Sequence, residues 1–166
     1  MHLMMLFSLN DGQIDQEQAY CMAINIYHEA RSESIAGQIE VAHATMERVR
    51  DKRFPSTICG VVLQTNRDSL GRPKLYRCSF SWFCDGKPDD IEFVKKGKFM
   101  IIDYRNFMTA SMVALRVING DYKSECEGAN FYYNPTLASP RWAKHYTLKC
   151  RIGNHAFHRR EKGSLL

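Results

Sequence analysis

Glu29 and Glu33 stand four residues apart in Tyr27-His28-Glu29-Ala30-Arg31-Ser32-Glu33, and they are the side chains best spaced to exchange protons with a substrate. At about 100° per residue, Ala19, Ala23, Ile26 and Ala30 fall on one line of a helix, which is its core face. Tyr20, Ile24 and Tyr27 widen that face on one side and Met22 on the other, with Glu29 just beyond Met22. A helix reaching Glu33 brings it back near the same edge. A carboxyl there is half in the core and half in a cleft. Burial and a like-charged neighbour both disfavour its ionisation and raise its pKa, as a general acid working near neutral pH requires. The plainer reading, two solvated charges at a helix end, fits the spacing equally well.

The elements that must position this pair are legible in part. Asp15 follows a turn-rich stretch (residues 8–15) and suits an N-cap, with Gln18 placed to complete a capping box; the first helix then runs from about residue 16 to about residue 31. Ser34 suits the cap of a second helix. Its core line is Ile35, Ile39, Ala42, Met46 and Val49, and Phe54-Pro55 ends it. Gly37 near its start suits a close approach of backbone or ligand, and Gln38 points toward the acidic pair. Residues 56–64 read as a short capped helix.

Residues 65–90 read as a long polar loop, which in a small domain is usually functional. Within it Ser79-Phe80-Ser81-Trp82 alternates hydroxyls with rings, the pattern of a short strand whose surface can stack and hydrogen-bond sugars. Rings covering the core beneath the loop are the equal alternative. Lys95, Lys96 and Lys98 form a solvated basic face. A third helix follows, with Tyr104, Phe107, Met108, Ser111, Leu115 and Ile118 on one side and Asn119-Gly120 at its C-cap. Residues 129–134 read as a strand stopped by Pro135. Residues 146–152 and 155–160 read as a hairpin around Gly153-Asn154. The fold class is therefore α+β: a mainly helical body with a small antiparallel sheet in the C-terminal third.

The chain has 166 residues, 45% hydrophobic and 25% charged, enough for one domain spanning 1–166 that buries a core unaided. Net charge is +5 and the pI about 8.9, which suits an anionic partner. With a single short basic cluster at residues 159–162, nucleic acid is not expected. Met1 to Phe7 lack the charged start and cleavage site of a signal peptide, and no apolar run is long enough to span a membrane. The six cysteines include no Cys-x-x-Cys pair; Cys78 and Cys84 could bridge within one loop, and the redox state of the rest stays open. His155 and His158 would face opposite sides of a strand, and neither a His-Glu-x-x-His zinc motif nor a Gly-x-Ser-x-Gly elbow is present. No metal or cofactor is expected.

Carboxylate chemistry remains, and here motifs add to spacing. Ile26-Tyr27-His28-Glu29-Ala30-Arg31-Ser32-Glu33, Gly37-Gln38, Arg48-Val49, Phe54-Pro55, Ile58-Cys59-Gly60-Val61-Val62, Cys78-Ser79-Phe80-Ser81-Trp82, Gly128-Ala129-Asn130-Phe131-Tyr132-Tyr133-Asn134-Pro135 and Ile152-Gly153-Asn154-His155 occur in one order. Over residues 19–158 this series resembles the SleB/CwlJ-type cell-wall hydrolases, which include spore-cortex lytic enzymes and phage endolysins. Ser32 stands where that family usually has Gly, and Ser79 where it usually has Gln. The resemblance implies a lysozyme-like fold acting on peptidoglycan glycan strands as a lytic transglycosylase, with Glu29 as general acid and then base. Glu33 takes a supporting role, tuning Glu29 or pairing with Arg31. Strand alternation lets only one of Tyr132 and Tyr133 sit under the developing oxocarbenium, and Tyr133 is the expectation. Gln38, Ser79, Phe80, Ser81, Tyr132 and Asn134 are candidate sugar contacts. A hydrolytic muramidase, a metal-dependent amidase and a non-catalytic wall-binding module are the alternatives. With neither a wall-binding domain nor a signal peptide legible, the expectation is a monomeric endolysin, made in the host cytoplasm and released to the wall.

Overall fold

The structure, a computed structural model, describes residues 15–163. The expectations for the apolar start and for residues 8–14 of the turn-rich stretch lie outside them. Helix α1 (Gln16–Ala30) begins at Asp15, whose carboxylate accepts the backbone N–H groups of Glu17 and Gln18. Gln18 does not close a capping box; its side-chain oxygen instead accepts the N–H of Cys59 at 3.0 Å. Helix α2 (Ile35–Arg50) begins at Ser34, as its spacing predicts. It stops at Asp51, short of Phe54-Pro55, because Asp51 is extended and its carboxylate is held by Arg53. Short helix α3 (Ile58–Val62) follows Thr57.

Residues 65–90 depart from a plain loop. Strands β1 (Thr65–Arg67) and β2 (Pro73–Cys78) pair as an antiparallel hairpin, and a 3-10 turn covers Ser81–Cys84. The turn replaces the strand expected at residues 79–82. Cys78 and Cys84 are bonded, with Cα atoms 6.1 Å apart. Six residues of strand would separate them by about 20 Å, so the chain must fold back. A second small hairpin, β3 (Val94–Lys95) and β4 (Lys98–Phe99), leaves the three lysines in solvent. Helix α4 (Ile101–Ile118) buries Phe107, Ala110, Ser111, Val113, Ala114 and Val117 and ends at Asn119. In the last third β5 (Phe131–Tyr133), β6 (Thr147–Ile152) and β7 (His155–Arg159) form an antiparallel sheet in the order β5-β7-β6. The fold is α+β and mainly helical as expected, with two small hairpins beside the predicted C-terminal sheet.

Helices α1, α2 and α4 pack on one another around Phe107, Met22, Ile26 and Val113, and the sheet closes on this body through Phe157. Ile39, Ala42, Met46 and Val49 of the apolar line read from sequence pack on the core, but the buried face of α2 is wider than that line. Ile35 is 47% exposed, while Gln38, Val41, Thr45 and Arg48 are buried. The helix lies in the middle of the domain, so its polar residues face partners and not water. Asn25 shows how they are satisfied. Its Nδ2 donates to Thr45 Oγ1 at 3.3 Å, and its Oδ1 accepts the indole N–H of Trp82 at 3.0 Å.

All six cysteines are bonded: Cys21 to Cys59, Cys78 to Cys84 and Cys126 to Cys150. The first cross-link joins α1 to α3 across 38 residues, while the second spans 6. On the loop-closure account, replacing Cys21 and Cys59 together by Ala is expected to remove up to about 4 kcal/mol of stability, and Cys78 with Cys84 about 2 kcal/mol. Urea denaturation of both variants checks this; equal losses would contradict it.

Candidate active site

Helix α1 ends at Ala30, so Glu29 lies in its last turn while Glu33 lies outside it, its N–H bonded to the Ala30 carbonyl at 2.9 Å. The two carboxyls therefore enter different surroundings. Glu29 faces a cleft of about 510 Å³ lined by Tyr27, His28, Ser81 and Trp82, with Asp85, Asp89 and Asp90 on the loop that forms its other wall. Behind it, Tyr132 donates its hydroxyl to Glu29 Oε2 at 3.0 Å. Burial raises the Glu29 pKa, against the opposing pull of the Tyr132 hydrogen bond and the positive charge of Arg48. The cause is desolvation alone; Glu33 is not among the groups that shift it. A carboxyl with raised pKa, open to solvent on one side and hydrogen-bonded on the other, is equipped to give a proton to a ligand in the cleft.

Glu33 is a latch. Its Oε2 accepts the backbone N–H of Asn154 at 3.1 Å and its Oε1 the Asn154 side-chain amide at 2.9 Å. His155 Nδ1 lies 4.0 Å from Oε1. Two glycines permit this approach. Gly153 turns at φ +56° directly against the carboxylate, where a Cβ would collide, and a Cβ on Gly37 would lie 3.0 Å from Glu33 Cβ. Burial works to raise the Glu33 pKa, yet the Asn154 donors and His155 outweigh it and hold it below the ordinary range. Glu33 thus neither tunes Glu29 nor pairs with Arg31, whose guanidinium lies 5.0 Å over the Tyr27 ring.

The remaining predicted residues divide. Tyr132, and not Tyr133, reaches Glu29; Tyr133 points to the other face of β5 and packs on Trp142 and His158. Ser81 lines the cleft. Phe80 is 3% exposed and lies against Arg48, so it is a core residue and offers no face to a sugar. Ser79 donates to Gln64 Oε1 at 2.7 Å, and Gln38, buried, donates to the Glu33 carbonyl at 3.3 Å. The Asn134 side-chain oxygen accepts from Thr136 N and Oγ1 and closes its own turn.

Three features of the site were given no place in it from sequence, although their residues occur in the motifs. Arg48 is one, although a cation on the buried stripe Val41–Thr45–Arg48 is a visible anomaly. His28 and Trp82 are another: their rings stack at 4.5 Å, and His28 Nε2 meets the Asp89 carbonyl at 3.1 Å, which ties the far wall of the cleft to the helix carrying Glu29. The third is the wall itself, where burial, together with Asp85 and Asp90, raises the Asp89 carboxyl against the opposing pull of His28.

The sequence model of the Cell Wall Hydrolase family matches residues 32–158, beginning three residues after Glu29. The chain belongs to that family. Spore cortex-lytic enzymes from Halalkalibacterium halodurans, Bacillus cereus and Bacillus subtilis are 28%, 27% and 27% identical to it, each over 91% of this chain. The chain spans only 35%, 45% and 38% of their respective lengths. The catalytic domain of the germination-specific lytic transglycosylase SleB from Bacillus anthracis superposes with a TM-score of 0.62 at 24% identity, over 91% of this chain and all of that domain. The Bacillus cereus SleB catalytic domain gives 0.57 at 23%, over 90% and 94%. The likeness to both structures is one of fold, and it makes the α+β body that of the SleB catalytic domains.

Within this cell-wall hydrolase fold the Glu33 latch has a thermodynamic consequence. A carboxyl whose folded pKa is depressed stabilises the fold above its unfolded pKa, about 4.3 for Glu, and loses that contribution as pH falls through the lower folded value. Glu33→Ala is expected to cost about 2–3 kcal/mol at neutral pH, from two hydrogen bonds to a charged acceptor. The deficit should shrink below about pH 4. Denaturant melts of both proteins at pH 7 and pH 3.5 measure this; a deficit of the same size at both would rule the latch out.

Proposed function

We propose that this chain cleaves peptidoglycan glycan strands at the β-1,4 bond between N-acetylmuramic acid and N-acetylglucosamine, as a lytic transglycosylase, with Glu29 as the catalytic residue. The observation that carries the reading is the surroundings of Glu29: burial favours its protonated form, and Tyr132 fixes its direction from behind. The protonated carboxyl gives its proton to the glycosidic oxygen, and the bond from that oxygen to muramyl C1 breaks. The carboxylate left behind takes the proton of the muramyl 6-hydroxyl as that oxygen bonds to C1, which returns Glu29 to its acid form and leaves a 1,6-anhydro end. One carboxyl serves both steps, whereas hydrolysis through two carboxyls needs a second at a set separation. Tyr132 takes the tyrosine role in this proposal, since it is the one in contact with Glu29.

A hydrolytic muramidase is the second reading, favoured by Asp89, a carboxyl with raised pKa in the same cleft. The working unit in the proposal is a monomer that needs no cofactor. For its setting, the relatives named above are spore cortex-lytic enzymes, so they support a peptidoglycan substrate and lend nothing to an endolysin role in particular.

Digestion of purified peptidoglycan with wild type and Glu29→Gln, followed by mass spectrometry of the soluble products, tests the proposal. Anhydro-muramyl ends are expected from wild type, with release slowed about 10²–10⁴-fold in the variant. Reducing muramyl ends would favour the hydrolytic reading and make Asp89→Asn the next variant. Intact strands with freed stem peptides, unchanged by the substitution, would overturn both.

A further inference from the structure

Arg48 is 6% exposed, in the last turn of α2. Its Nε donates to the Asn130 carbonyl at 2.7 Å. Its guanidinium carbon lies 4.8 Å from the centre of the Phe80 ring, 5.0 Å from Phe131 and 5.5 Å from Phe54. No ion pair involving Arg48 is present among the described residues. A cation buried without a contacting carboxylate is costly, and rings alone return only about 2 kcal/mol when desolvated. Its position suggests what the cost achieves. Asn130 and Phe131 immediately precede Tyr132, so Arg48 grips the strand at both residues before the phenol that reaches Glu29. The carboxylate whose charge acts on Arg48 is that of Glu29.

We propose that Arg48 is the positioning residue of the site: it fixes Tyr132 against Glu29, and its permanent positive charge stabilises the carboxylate that Glu29 becomes on giving up its proton. The inference rests on the general-acid reading of Glu29 and deepens it. An acid that must donate and then accept a proton within one turnover has to be stable enough in both forms. Burial supports the neutral form and Arg48 the charged one. The array needs no second carboxylate, because the balancing charge comes from below and not from across the substrate. Other charged groups surround the cleft: His28 on α1 and Arg31 at its C-cap, Asp103 from α4, and Asp85, Lys87, Asp89, Asp90, Glu92 and Lys95 on the far side. Glu33 and His155 lie beyond Tyr132. None of these groups is itself replaced in an Arg48 variant, so a shift in Glu29 traces to Arg48, through its charge or through the Tyr132 contact that it holds.

The test is carbon-13 NMR titration of Glu29 in the full chain, with the resonance assigned by its absence in Glu29→Gln, for wild type, Arg48→Gln and Arg48→Lys. Gln can still donate to the Asn130 carbonyl but carries no charge. The Glu29 midpoint is expected to rise by about one pH unit or more in Arg48→Gln. In Arg48→Lys it should stay within about 0.5 unit of wild type, because the charge remains. The alkaline limb of the kcat/KM profile on peptidoglycan should move up by the same amount in Arg48→Gln. A midpoint unmoved in a folded Arg48→Gln, or one that rises in Arg48→Lys by a unit, overturns the proposal. Should Arg48→Gln fail to fold, Arg48→Met, uncharged and suited to packing among the three phenylalanine rings, takes its place with the same expected rise, and an unmoved midpoint there overturns the proposal. The NMR result also separates this inference from the catalytic one. Full activity of Glu29→Gln would remove the general-acid reading, while the titration would still report whether Arg48 governs the ionisation of Glu29.

Discussion

A carboxyl group removed from bulk water prefers to hold its proton, and the site is arranged around keeping Glu29 in that condition without sealing it off. The last turn of α1 is where a side chain can be embedded in protein and still reach a cleft. The partner that completes the embedding, Tyr132, comes from 103 residues further along the chain. The helical body and the C-terminal sheet must therefore dock in one register for the site to exist at all. A slip of one residue in β5 would exchange Tyr132 for Tyr133 and turn the phenol toward Trp142.

Two devices on opposite sides of the contact hold that register. Below, Arg48 bonds the Asn130 carbonyl and lies against the Phe131 ring, so α2 and β5 cannot slide past each other freely. Above, Glu33 takes two donors from Asn154 in the β6–β7 turn, and Gly153 keeps that turn close enough to the α1–α2 connection. Each joins the same two halves of the chain through one ionised side chain. The difference is solvation: Glu33 is satisfied by directed N–H donors, while Arg48 has one such bond and otherwise faces rings.

The sequence told helices from strands well where periodicity was strong and failed where a cross-link or a polar core overrode it. Asp15, Ser34 and Asn119 mark helix ends in place, and the Gly153-Asn154 hairpin stands as spaced. The strand expected at residues 79–82 is a turn because Cys78 and Cys84 are bonded; the bridge itself was legible from their spacing, but the alternation of hydroxyls and rings took no account of it. The core line of α2 holds from Ile39 to Val49 but was drawn too narrow, because apolar periodicity assumes that polar faces meet water; here Gln38, Thr45 and Arg48 meet Glu33, Asn25 and the phenylalanines instead. The place of Glu29 at the cleft edge was legible because helical periodicity set it just beyond the core face. The choice between Tyr132 and Tyr133 was not, since alternation says that one faces the cleft without saying which. Glu33 illustrates the converse error: the spacing that drew attention to it assumed a helix that stops at Ala30.

A site of this kind weakens the fold that carries it. Burying an ion costs several kcal/mol even after relaxation, and among the described residues no carboxylate pairs with Arg48 to return that cost. The Cys21–Cys59 cross-link, worth up to about 4 kcal/mol by loop closure, is of similar size. It ties α1 to α3, and Cys126–Cys150 ties the connection after α4 to β6. Both lie outside the cleft, so they add stability without adding groups that would alter the ionisation of Glu29. Local consistency is broken at the buried charge beside the cleft, and stability is recovered at positions away from it. On that argument Cys78–Cys84 stands apart: it closes the turn bearing Ser81 and Trp82. It contributes least to chain entropy and most directly to the shape of the cleft wall.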